Sequence, residues 1–170
     1  KYNIYIICKT EDDFMEKSKI ISEKYKAKIC HIQWVPAEYL KLTQCNKKLL
    51  KDLNTRWNTE SKKILAKLGT IAAHRKALLA IYMNKTDNNI ILESDATLSS
   101  KLPAPPNVSC YLGGWIIPPQ ITKAGITKMN VHPKKGLNSI EYGTFSVLMA
   151  HSYFIKTFEE SMELFQTTIT

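Results

Sequence analysis

The densest chemistry in this 170-residue chain is the run Ile90-Ile91-Leu92-Glu93-Ser94-Asp95, in which three apolar residues lead into two carboxylates one residue apart. A short apolar, β-branched run reads as a buried strand, so both carboxylates are expected just beyond its C-terminal edge, where open α/β sheets bind ligands. Hard cations such as Mn²⁺ or Mg²⁺ take carboxylate oxygens, and a short acidic pair leaves coordination positions for phosphate oxygens. The competing reading of Glu93 and Asp95 is a helix cap or a solvated turn.

A second group lies on the preceding helical stretch, from Glu60 to about Asn84. At ~100° per residue, Ile64, Leu68, Ile71, Ala72, Leu78, Leu79 and Tyr82 fall on one arc, with Arg75 in its middle and His74 at its edge. A buried guanidinium needs an anion, either a strand-end carboxylate or a bound phosphate. A structural salt bridge for Arg75 and a satisfied core histidine for His74 are the plain alternatives. Further on, Gly113-Gly114-Trp115 combines glycines that let backbone approach a ligand with an indole that offers sugar rings a flat wall, although a core Trp has the same signature.

The elements that must position these groups read as follows. Tyr2 to Cys8 is a near-continuous apolar strand, and Glu11-Asp12-Asp13 opens a helix reaching about Tyr25 with acidic residues suited to its dipole and free N–H groups. A second strand, Ile29 to Val35, stops at Pro36, completing a βαβ unit. Residues 36–58 suggest one or two short helices, with Asn54 to Asn58 as a loop and a cap near Thr59. Asp87-Asn88-Asn89 is a turn into the third strand. Lys101 to Asn107 is proline-rich and reads as a surface connection within the domain, followed by strands at Val108 to Leu112 and Ile116-Ile117. Residues 120–139 form a long loop suited to a binding lip, and the chain closes with a strand, Tyr153 to Lys156, and a helix from Phe158 to Phe165. The sum is one domain over 1–170: α/β, a central, mostly parallel mixed sheet flanked by helices.

Lys and Arg outnumber Asp and Glu by 24 to 15, and the resulting +9 favours polyanionic partners. The lysines are dispersed and no basic block is interleaved with aromatics, so a stable nucleic-acid partner is not expected. The four cysteines, Cys8, Cys30, Cys45 and Cys110, form no CxxC pair, which points to a reducing, cytoplasmic setting. Lys1 to Thr10 lacks signal-peptide character, and no apolar stretch has membrane-spanning length.

Two segments resemble glycosyltransferase family 25: Gly69-Thr-Ile-Ala-Ala-His74-Arg75-Lys76-Ala77 on a helix, then Asn89-Ile-Ile-Leu-Glu93-Ser-Asp95-Ala96. Ala150-His151-Ser152-Tyr153-Phe154-Ile155, before a Glu- and Leu-rich helix, is similar to a later strand of that family. Order and spacing agree over about 100 residues. Size and composition also resemble compact glycosyltransferases of large DNA viruses, including those that decorate capsid protein. The middle residue departs from the family, Ser94 standing where Asp is usual.

The resemblance implies a Rossmann-like GT-A fold and transfer of a sugar from a nucleoside-diphosphate donor, UDP favoured, to a glycan or protein-linked acceptor with Mn²⁺ or Mg²⁺. Asp95 is then the direct metal ligand, while Glu93 binds through water or contacts the ribose or sugar. His74 matches the family's helix histidine. Lys9 and Thr10 take the position of base or ribose contacts. His151, or His132 in the long loop, reaches the metal or diphosphate. The alternatives are a nucleotidyltransferase or phosphohydrolase, disfavoured by the lack of a GxxxxGK loop, and a basic nucleic-acid-binding module.

Overall fold

The seven residues of β1 (Tyr2–Cys8) are all buried, as an apolar strand covered on both faces must be. In the computed structural model, which describes residues 1–39, 41, 47–57, 60–98, 102–112, 115–117, 146–148 and 152–167, β1 lies between two parallel neighbours, β2 (Ile29–Pro36) and β3 (Asn89–Glu93). Two further strands, β4 (Cys110–Tyr111) and β7 (Ser152–Ile155), complete a five-stranded sheet in the order β2-β1-β3-β7-β4. β7 runs antiparallel to both β3 and β4. The sheet is therefore mixed: β1, β2, β3 and β4 run in one direction and β7 runs against them, so two of the four strand pairings are parallel and two antiparallel. A separate pair, β5 (Trp115–Ile117) and β6 (Ser146–Leu148), is antiparallel.

Helices cover both faces. Even-numbered residues of β1 and β3, Ile4, Ile6, Ile90 and Leu92, pack with Ile21 and Tyr25 of α1 (Glu11–Tyr25). Odd-numbered residues, Tyr5, Ile7 and Ile91, pack with Ala73, Ala77, Leu78 and Ile81 of α3 (Ser61–Asn84) and with Phe158 and Phe165 of α4 (Phe158–Thr167). Burial of each large aliphatic side chain contributes about 1.5–3 kcal/mol. The short α2 (Lys47–Trp57) lies against α3 through Leu50, Ile64 and Leu65. It carries the chain as helix through Asn54 and Trp57, where a loop was expected.

The sheet-facing stripe of α3 also differs from the expected arc. Its buried residues are Ile64, Leu65, Gly69, Ala73, Ala77, Leu78 and Ile81, whereas Ile71, Leu79 and Tyr82 are 38–41% exposed. Small residues one turn apart bring the helix axis close to the sheet, so backbone proximity and not side-chain bulk decides the contact face. Gly69 is the tightest point: an ideal Cβ there would stand 2.5 Å from the Glu38 carbonyl oxygen. The helix ends at Lys85, whose left-handed φ of 51° lets its N–H reach the carbonyls of Ile81 and Tyr82.

A candidate ligand cleft at the C-terminal ends of β1 and β3

From β1 the chain crosses to β2 on one side and later to β3 on the other, so strand order reverses between β1 and β3. Open α/β sheets form a crevice outside the C-terminal strand ends at such a reversal. A cleft of about 520 Å³ lies there, bounded by Ile7 and Lys9 at the end of β1, Ala37 to Tyr39 after β2, the α3 face from Lys62 to His74, and Glu93 and Ser94 at the end of β3. Its volume falls within the ~300–1,000 Å³ typical of small-ligand sites.

Glu93 continues the odd series of β3, so its carboxylate faces α3. His74 descends from that helix, and its Nε2 lies 2.8 Å from Glu93 Oε1. Its Nδ1 lies 3.0 Å from the hydroxyl of Tyr153, which the β3–β7 register places opposite Ile91 on the same face. The carboxylate accepts, so Nε2 donates to it. In the neutral ring Nδ1 is then the acceptor, and the tyrosine O–H donates. Burial foremost, then the nearby Tyr111 and Glu93, pushes the Tyr153 phenol well above the ordinary tyrosine value and keeps that proton in place. The result is a Tyr153–His74–Glu93 chain with one tautomer of the ring favoured.

Glu93 to Ala96 close a tight turn, with Ala96 N–H donating to the Glu93 carbonyl at 3.0 Å. The ammonium of Lys17, reaching over from α1, donates to the carbonyls of Glu93 (3.2 Å), Ser94 and Ala96. Burial is the main cause that lowers its pKa, opposed by the negative charge of Asp95. Asp95 itself is exposed on the turn. The acidic triplet is thus organised around an internal cation that the acidic motif gave no reason to expect. A signal existed, since Phe14, Lys17, Ile21 and Tyr25 share one face of α1 and three of the four are apolar.

The other anticipated residues divide. Lys9 lines the cleft, its ammonium 5.6 Å from the ring centroid of the exposed Tyr39. Thr10 is the N-cap of α1, its hydroxyl accepting from Asp13 N–H at 3.2 Å. Asp12 and Asp13 therefore belong to the first turn, and the cap belongs to Thr10. Arg75 Nη1 donates to the Phe165 carbonyl at 2.9 Å, and the guanidinium lies 4.0 Å from the Phe165 ring centroid, tying α3 to the end of α4. His74 therefore enters the cleft, while Arg75 turns toward α4. Glu38, which the sequence did not single out, forms an ion pair with Lys76 and walls the cleft.

Trp115 begins β5, its backbone paired with Leu148. Gly113, Gly114, His132 and His151 lie outside the described residues. The strand neighbour of His151, Ser152, pairs with Leu92, one residue before Glu93. Among the described residues, no group of three or more His, Cys, Asp or Glu side chains could hold a metal ion, and no helix is long and apolar enough to cross a membrane. No protein-family profile, curated protein or solved structure matches the chain.

Proposed function

We propose that the chain is a metal-dependent glycosyltransferase of GT-A type that binds a nucleoside-diphosphate sugar, UDP favoured, in this cleft and transfers the sugar to a glycan or protein-linked acceptor. The observation that carries the reading is the position of Glu93: a carboxylate at the end of an internal parallel strand, inside a cleft that also presents Lys9, Lys62 and the exposed Tyr39. Tyr39 offers an aromatic face to a base, and the lysines offer positive charge to phosphates.

Glu93 lines the cleft, while Asp95 lies exposed on the turn outside its walls; in this reading the two would offer two oxygen donors to a metal, with no group of three or more possible ligands among the described residues. Such a set suits a hard divalent ion that completes its shell with phosphate oxygens and water. A bound ion there would neutralise the charge of the leaving diphosphate. The chain's own contribution is positional: His74 orients the Glu93 carboxylate, and Lys17 holds the turn that carries Asp95.

The test is the melting temperature with UDP, other nucleoside diphosphates and their sugars, each with and without Mn²⁺. Stabilisation by UDP plus Mn²⁺ that disappears in Glu93→Gln and Asp95→Asn supports the reading. Salt-sensitive binding of oligonucleotides without any nucleoside-diphosphate effect sinks it.

A further inference from the structure

On the far side of His74 lies a second cavity, of about 600 Å³, between α3, the Leu164 side of α4 and the β4–β7 edge. Its walls are apolar: Ile71 (41% exposed), Leu164 (40%) and Leu78 face the rings of Tyr111 (58%) and Tyr153. The two tyrosine rings are tilted 59° to each other with centroids 6.4 Å apart, forming an open aromatic corner. Exposed large apolar groups gathered in one concavity are unusual on a protein surface and mark binding sites.

Apart from the Tyr111 hydroxyl and the Cys110 thiol, the polar groups along these walls are engaged within the protein. Arg75 donates to the Phe165 carbonyl, Ser109 bonds Glu160 and accepts from Lys156 N–H, and Thr70 donates to the Ala66 carbonyl. The walls therefore offer contact area more than hydrogen bonds, and affinity there must come from apolar surface. The end of the cavity at Thr70 and His74 is different, because both residues also line the first cleft. A ligand filling the second cavity would present one end to the first.

We infer that the second cavity binds a glycoside with an apolar aglycone, the aglycone resting between Ile71, Leu164 and the Tyr111–Tyr153 corner and the hydroxyl-bearing sugar directed toward Thr70 and His74. The apolar cavity stands on its own geometry; that its ligand carries a sugar, and is the acceptor, rests on the proposed transfer function.

The experiment measures binding of p-nitrophenyl and octyl β-glycosides, and of the matching free monosaccharides, to the full chain by saturation-transfer NMR and calorimetry. Both glycosides should bind, with the free sugars weaker by about tenfold or more. Tyr111→Ala and Ile71→Glu, at exposed positions that should leave the fold intact, are each expected to weaken glycoside binding by a similar ~10-fold factor without changing UDP binding. No glycoside binding, or binding indifferent to both substitutions, overturns the inference. The two readings fail separately: if UDP binds and the glycosides do not, only the second site falls. If the glycosides bind and both substitutions weaken them while UDP with Mn²⁺ has no effect, the donor reading falls and the second site stands.

Discussion

His74 reaches Glu93 across the face between α3 and the sheet, Nε2 to Oε1 at 2.8 Å, so the carboxylate at the strand end is held by a ring anchored on a different element. Glu93→Gln keeps an acceptor for Nε2 and removes only the charge. Its stability should stay within about 1 kcal/mol of wild type. Under the proposed function, glycosyl transfer should fall by about 10²-fold or more, as when a preorganised electrostatic group is lost. Calorimetric melting beside a donor-turnover assay separates the two effects; a large loss of stability with turnover retained would contradict the assignment.

The Glu93 carboxylate calls for the Nε2–H tautomer of His74, and the Tyr153 hydroxyl satisfies the Nδ1 that this leaves as acceptor. In Tyr153→Phe the ring loses its only described donor at Nδ1, so the Nε2–H form should fall in population. Nitrogen-15 chemical shifts of the imidazole report this directly. The accompanying loss of stability should be about 0.5–1.5 kcal/mol.

Lys17→Met removes the ammonium that three carbonyls of the 93–96 turn share. The methionine stem fills the same space without donating, so the cost should be about 1.5–3 kcal/mol, less whatever water recovers at this partly exposed site. Amide hydrogen exchange at Ser94 to Ala96 should accelerate. Unchanged protection there would show that the turn holds without the cation.

Gly69→Ala puts a methyl group 2.5 Å from the Glu38 carbonyl, a backbone atom that cannot swing aside. A destabilisation of about 1–3 kcal/mol is expected, the usual cost of overpacking. Because Glu38 and Tyr39 wall the cleft, the UDP affinity that the proposed function calls for should drop in the same variant. Denaturant titration and calorimetry on one preparation test both.

Burial pushes Tyr2 and Tyr153 above the ordinary 10.0 of a tyrosine, and Cys8 and Cys110 above 9.0. At alkaline pH the native state keeps protons that the unfolded chain releases, so the stability these groups contribute is complete below about pH 9 and declines as pH rises toward their native pKa values. Lys17, lowered from 10.5, acts in the opposite sense: its unfolded form holds the proton longer, so stability rises toward that value. With four groups against one, the urea midpoint should fall between about pH 8.5 and about pH 10.5.

The first three strands and the helices α1 and α3 are legible because their patterns are local: a continuous apolar run marks β1, and an acidic turn after a threonine marks the start of α1. The acidic triplet at the end of β3 and the cleft beside it follow from the same order of elements. What the sequence did not carry depends on approach between distant segments. Glycine and alanine at 69, 73 and 77 bring α3 to the sheet, so the expected arc caught the buried Ile64 and Leu78 but strayed to the partly exposed Ile71, Leu79 and Tyr82. Tyr153 meets His74 through the antiparallel register of β7, which nothing within either segment encodes. Arg75, placed in the apolar arc as a partner for an anion, is seated instead on the carbonyl and ring of Phe165, ninety positions along the chain.

The contact of Gly69 with Glu38, reinforced by the Lys76–Glu38 ion pair, has a mechanical consequence. Glu38 meets α3 at Gly69 and at Lys76, seven residues or about two turns apart on the helix, through one close backbone approach and one largely exposed ion pair. Widening the cleft by moving the 36–39 segment would break the Lys76–Glu38 pair, worth at most about 1 kcal/mol at this exposure, whereas narrowing it is blocked where the Glu38 carbonyl already meets the Gly69 backbone.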